Sequence, residues 1–204
     1  MKANQEVIIA TETIDEGREA LNQHLLKDIM DAGHGSKLTL ASCFRTRWNM
    51  HETSQAFALL GNGAVDIAKR FYTQEYDEDG NHRDYNLRVS ESWGLIYKKG
   101  DKTGMHHHFP SLWSYVYCVK ASSECSPLVF PNANEPLSVT PKTSQIIVFP
   151  SWLHHEVPEH PCDHDRIMLS GNLNNGLELN NDKRPFWDTD EYSGSTEGPL
   201  WHAS

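Results

Sequence analysis

Five of the twelve histidines fall in two short clusters: GMHHHFP, with His106, His107 and His108, and FPSWLHHEVP, with His154 and His155. Side chains alternate along a β-strand, so His106 and His108 share a face while His107 points away. Two imidazoles spaced this way can take adjacent positions on one metal ion. A third histidine from a distant strand completes a facial set and leaves other positions open, as iron-based oxygen chemistry requires. A closed tetrahedral set would instead indicate structural zinc. A lone H-x-H also marks polar strand ends that hold no metal. The second cluster, at the end of the apolar run QIIVF, tips the balance towards a metal. Residue types alone leave His154 and His155 in competition.

Shortly after the second cluster, Arg166 opens the apolar run RIMLSGN. A guanidinium leading such a strand inwards needs an anion to pair with. A carboxylate gripped through two parallel hydrogen bonds would satisfy it. The competing reading is an exposed or salt-bridged arginine at a strand end.

These residues need a scaffold that returns distant strands to one place. WGLIYK, WSYVYCVK, SPLVF, QIIVF and RIMLSGNL are short runs rich in β-branched and aromatic residues, separated by the turn clusters KKGDKTG, PNANEP and HPCDHD. Many short strands at close spacing predict a sandwich or barrel. The first 90 residues read as mixed, with helices. Thr13 and Glu16 suggest a capping box before a face of Ile14, Leu21, Leu25 and Ile29. A second helix is predicted from about Thr53 to Tyr72, weakened in its middle by Gly61 and Gly63. The loop YDEDGNHRDY alternates Asp77, Asp79 and Asn81 like a calcium loop. His82 stands where the turn glycine should be and Arg88 where the final glutamate should be, so it reads as a solvated turn. From Asn174 the chain reads as an extended tail, with Phe186, Trp187, Tyr192 and Trp201 to tie it down. The expectation is a single domain over 1–204: a helix-containing part (1–90), a metal-binding barrel core (91–173) and a C-terminal extension (174–204).

Composition narrows the partners. The net charge is −10, from 18 basic and 28 acidic residues, and the basic ones do not cluster. That argues against nucleic acid and against an anionic membrane surface. A small-molecule or peptide substrate is expected, and oligomeric state is left open. The cysteines Cys43, Cys118, Cys125 and Cys162 form no C-x-x-C and read as free thiols of a reducing compartment. The apolar stretch near the start is too short for a signal peptide or membrane span, so a cytoplasmic location is the expectation.

H-x-H at His106 and His108, then SYVY, FPSWLHHEV and R-I-x-x-S-x-N, together resemble a group of bacterial and phage 2-oxoglutarate–Fe(II) oxygenases related to prolyl hydroxylases. The resemblance runs from about Trp93 to Leu173. It implies a mainly β fold, a double-stranded β-helix (a jelly-roll or cupin-like barrel) with flanking N-terminal helices. It also implies a hydroxylase-type dioxygenase using Fe(II), 2-oxoglutarate and O₂. His106 would be the proximal iron ligand and His155 the distal one, with Arg166 on the far carboxylate of 2-oxoglutarate. Tyr117, Ser170 and Asn172 match positions near the pocket. One departure matters: the superfamily has H-x-D or H-x-E, and His108 stands where the carboxylate belongs. Either His108 is the third ligand, which removes a negative charge from the iron, or it stands behind the ligands and water or another carboxylate fills the slot.

A cupin-type metalloenzyme is the rival. Gly100, His106 and His108 fit its G-x₅-H-x-H, and Pro150 and His155 fit its second motif apart from a glycine. The glutamate it needs near Leu112 or Trp113 is missing, and it has no task for Arg166. A metal-binding barrel without turnover is the third reading.

Overall fold

Period-2 alternation in the apolar strands governs the architecture. The computed structural model describes residues 7–15, 17–33, 40–71, 86–133 and 136–176. In chain order these form β1 (Ala10–Thr13), α1 (Arg18–Asp31), β2 (Phe44–Arg45), α2 (Met50–Thr53), α3 (Gln55–Phe71), β3 (Leu87–Tyr97) and β4 (Thr103–His106). There follow β5 (Trp113–Lys120), β6 (Leu128–Phe130), β7 (Leu137–Val139), β8 (Gln145–Pro150), β9 (His155–Val157) and β10 (Arg166–Asn175). The strands make a six-stranded sheet, ordered β1-β8-β5-β10-β3-β2, and a four-stranded sheet, ordered β4-β9-β6-β7. The paired strands are antiparallel.

Alternate residues of the large sheet go to two separate cores. Tyr115, Tyr117, Val119, Ile146, Val148, Ile167 and Leu169 pack outwards against Leu25 and Ile29 of α1 and Phe57, Leu60 and Ala64 of α3. Their neighbours Val116, Cys118, Ile147, Phe149 and Met168 face inwards, with Leu128 and Phe130 of β6 and Val157 of β9. Helices therefore cover one face of the large sheet and the small sheet covers the other.

Local sequence explains the helices, with two corrections. Leu25 and Ile29 do form the buried stripe of α1, with Leu21 partly buried beside them, whereas Ile14 packs on the same core from before the helix. The helix does not begin at a Thr13 cap, however: Thr13 ends β1 opposite Gln145, and Gly17, at φ 67°, precedes the first turn. Nor is Gly61 simply a weak point of α3. A Cβ there would lie 2.5 Å from Val89 Cγ2, so its bareness lets the helix sit close on β3. β10 continues to Asn175, beyond the expected end of the barrel core. The acidic loop 76–85 and the aromatics Phe186, Trp187, Tyr192 and Trp201 lie outside the described residues.

Candidate metal centre

The small sheet brings the two histidine clusters together. β4 and β9 pair so that His106 stands directly across from His155. Just past β4, the His108 backbone N–H donates to the Ser151 carbonyl at 2.7 Å, and the His108 carbonyl accepts from Ser111 N. One donor nitrogen from each of His106, His108 and His155 lies within 4.8 Å of the other two. Among the described residues, no carboxylate lines the surrounding cavity. His107 and His154 leave this site and meet each other edge to face, ring centroids 4.9 Å apart. Strand alternation thus separates the ligand-type histidines from their neighbours in both clusters.

Hydrogen bonds fix the donor atoms. His106 Nδ1–H donates to the Gly104 carbonyl at 2.8 Å, and His155 Nδ1–H donates to the Leu153 carbonyl at 3.0 Å. In each ring Nε2 is left as the lone-pair nitrogen. Burial, helped by the neighbouring imidazoles, holds His155 at a pKa of about 3 and His108 well below the usual histidine value. Burial lowers His106 as well. All three are neutral near pH 7, the form that binds a metal. Three nitrogen donors gathered from one side, with no thiolate among them, suit an ion that keeps open positions.

Arg166, at the start of β10, opens into the same cavity of about 130 Å³. It is 1% exposed, and among the described residues its Nε and Nη1 find no hydrogen-bond partner. Its guanidinium carbon lies 4.7 Å from the centre of the Tyr97 ring, across the ladder on β3. Two thiols lie near enough to act on it electrostatically, but burial raises Cys43 to about 12 and Cys118 to about 11. Both stay protonated and supply no charge. A buried cation without a counter-charge is strongly unfavourable, and its bare donors call for an anion.

The other sequence-predicted residues divide. Ser170 lines the cavity. Asn172 stands behind its wall: Oδ1 accepts from Ser114 Oγ at 2.9 Å and Nδ2 donates to Glu91 at 2.7 Å. Ser114 Oγ also meets Ser151 Oγ at 2.7 Å, so this chain braces the segment whose carbonyl holds His108. Tyr117 is not at the pocket. It sits one residue out of phase with Ser114 and Val116 and faces α1, where its hydroxyl donates to Asn22 Oδ1 at 2.8 Å. Sequence reasoning missed Arg45, Trp48, Tyr97 and Thr103, which also line the cavity. Arg45 stacks 4.0 Å over Trp48. The run FRTRW mixes arginine with aromatics, but nothing in it shows that β2 joins the edge of the large sheet beside β3.

No family model matches the sequence, and no curated protein does. The fold does match solved structures. A Pseudomonas putida prolyl-4-hydroxylase superposes with a TM-score of 0.62 at 14% identity, covering 81% of this chain and 91% of that one. HygX from Streptomyces hygroscopicus, with nickel and 2-oxoglutarate bound, gives 0.62 at 10% identity and 83% of each chain. A prolyl hydroxylase from Trichoplax adhaerens, in complex with a hypoxia inducible factor oxygen degradation domain peptide fragment, gives 0.61 at 14% identity, with 86% and 87% covered. At these identities the likeness is one of fold: this chain has the two-sheet jelly-roll architecture of those enzymes.

Proposed function

We propose that this protein is a non-haem Fe(II)- and 2-oxoglutarate-dependent oxygenase that hydroxylates a C–H bond of a peptide or small molecule. The observation that carries the reading is the pairing, in one cavity, of three neutral convergent imidazoles with a buried guanidinium that has bare donors. Metal ligands alone would fit any metallobarrel. A cupin-type enzyme or a non-catalytic metal-binding barrel gives Arg166 nothing to hold, whereas a dicarboxylate co-substrate does. The fold likeness to HygX, which carries nickel and 2-oxoglutarate, adds support.

Each residue then has a physical task. His106 and His155 would hold the iron through Nε2 with His108 as the third ligand, and Arg166 would grip the far carboxylate of 2-oxoglutarate. Iron, 2-oxoglutarate and dioxygen would together supply the oxidising power, the co-substrate leaving as succinate and CO₂. Val116, Leu128, Phe149 and Met168 keep the cavity wall apolar and restrict water. The Asn172–Ser114–Ser151 chain keeps His108 in place. With imidazole where the superfamily has a carboxylate, the site carries one negative charge fewer, which favours an anionic co-substrate. Phe109 and Trp152, 71% and 45% exposed, flank the two histidine segments and offer apolar surface to a substrate.

The decisive experiment is anaerobic titration of metal-free protein with Fe(II), then 2-oxoglutarate, watching for the visible metal-to-ligand charge-transfer band. The band should appear and should need far more 2-oxoglutarate in Arg166→Ala. Iron binding with no band would move the cupin-type reading ahead. Full 2-oxoglutarate affinity in Arg166→Ala would overturn the assignment of that residue.

A further inference from the structure

A second group of metal-binding side chains lies apart from the histidine centre. Cys125 ends a turn that follows β5, and Cys162 and His164 lie on the loop between β9 and β10. The two sulfurs and one nitrogen of His164 lie within 4.8 Å of one another. Cys125 is buried, Cys162 half-buried and His164 exposed, so the cluster opens to solvent on one side.

The surroundings are built around the Cys125 sulfur. The Ser122 backbone N–H points to it at 3.3 Å, and the Ser122 hydroxyl lies 3.7 Å away. His164 Nε2 approaches to 3.5 Å and also lies 3.0 Å from Ser122 Oγ. Cys162 donates its S–H to the Glu124 carbonyl at 3.2 Å, so Cys162 is held against the same turn.

Both supporting segments are tied down by hydrogen bonds of their own. Cys125 N donates to the Ser122 carbonyl at 3.1 Å, closing the turn. Ser126 Oγ, next to Cys125, donates across to the Glu159 carbonyl of the facing loop at 2.8 Å, and within that loop the buried His160 donates through Nε2 to the His164 carbonyl at 2.9 Å. The ordering penalty of metal binding is thus largely met in advance.

We propose that Cys125, Cys162 and His164 form a second metal site, for a thiophilic divalent ion of the zinc type, with water in the fourth position. Two thiolates and an imidazole select zinc over the iron suited to an all-imidazole centre. Both thiols lose their protons on binding, so uptake releases protons and is stronger at higher pH. The ion would clamp the turn after β5 to the loop that delivers Arg166, two residues beyond His164. The proposal does not depend on the oxygenase reading, because none of its ligands touches the histidine cavity.

Cobalt(II) titration of the reduced full-length protein tests it. A thiolate–cobalt charge-transfer band in the near ultraviolet should saturate at one equivalent per chain and vanish on adding zinc. An all-histidine site cannot produce that band. His155→Ala should keep the band, whereas Cys125→Ser should abolish it and Cys162→Ser should weaken it several-fold. No near-ultraviolet band in the reduced protein would overturn the proposal. So would a band unchanged in Cys162→Ser, because the sulfur ligands would then lie elsewhere. A Cys125–Cys162 disulfide that forms readily in protein whose reduced state binds no cobalt would mark the pair as a redox couple, which also overturns it.

Discussion

The two faces of the six-stranded sheet are made by the same strands and buried to a similar depth, yet they are finished differently. The outward face is closed by α1 and α3 with aliphatic and aromatic side chains, and Leu169, Tyr117 and Val148 are fully buried there. The inward face buries Arg166, Ser114, Ser170 and Asn172 among its apolar residues, and the small sheet sets the buried His155 against it. Apolar protein atoms fill most of the first face. The second leaves guanidinium donors bare and imidazoles neutral, so it awaits charges that a ligand must bring. One residue of phase along a strand therefore separates stability from chemistry, and substitutions on the two faces should fail in different ways.

The largest effect should come from the cavity between the inward face and the small sheet. His155→Ala should abolish Fe(II)-dependent succinate release while the metal-free protein stays folded, losing less stability than a truncation on the outward face because His155 already borders a cavity. Parallel thermal scans and turnover assays check this, and surviving turnover would break the contrast between the faces. Leu169→Ala, on the outward face, should do the opposite. Removing a fully buried leucine opens a cavity and should lower stability by about 2–5 kcal/mol. The molecules that remain folded should bind 2-oxoglutarate as the parent does, as a titration below the melting transition would reveal.

Arg166→Met sharpens the comparison further. It replaces a buried, uncompensated cation with an apolar side chain of similar length, so denaturant unfolding should show stability unchanged or raised. Affinity for 2-oxoglutarate should fall by about 2 kcal/mol or more, roughly thirtyfold. A loss of both together would mean that Arg166 has a structural partner as well.

Acid should act through the inward face too. His155, at about 3 when folded, stays neutral in the folded metal-free protein well below pH 6.5, and His108 and His106 take up protons at lower pH than unfolded histidines do. The unfolded state then binds more protons. Stability should therefore be fully present above about pH 6.5 and decline as pH falls towards 3, each such histidine contributing up to about 1.4 kcal/mol per pH unit. Melting temperatures between pH 7.5 and 5 measure this, and His108→Asn should flatten the slope.

The sequence made this division partly legible. The long strands β3, β5, β8 and β10 were readable because β-branched and aromatic residues fill both faces. β4, β7 and β9 are only three or four residues long, and β4 is too polar to signal a strand. β4 and β9 carry two of the three histidines that meet. Spacing pointed to His106 and His108 as a pair, while the choice of His155 over His154 rested on the family resemblance. The register across β4 and β9 gives the physical reason for it. Arg45 and Trp48 were illegible because only the edge pairing of β2 with β3 brings them to the cavity. The Cys125–Cys162–His164 group was hidden for a similar reason: two loops far apart in sequence have to meet.

Tyr117 gives the finest test of the contrast, because the family resemblance places it near the pocket and its phase on β5 does not. The alternation that separates His107 from His106 and His108 also separates Tyr117 from Ser114 and Val116. Its hydroxyl is engaged with Asn22 of α1, on the helix side. Tyr117→Phe keeps the buried ring and removes one hydrogen bond, leaving an Asn22 oxygen with access to water nearby. The expected loss is about 1 kcal/mol of stability, read from the urea midpoint, with 2-oxoglutarate affinity unchanged within error. The same experiment on Ser170→Ala, across the sheet, should shift 2-oxoglutarate affinity more than stability. If Tyr117→Phe instead weakened 2-oxoglutarate binding at constant stability, the sheet would not insulate its two faces, and the helix side would have to be counted as part of the site.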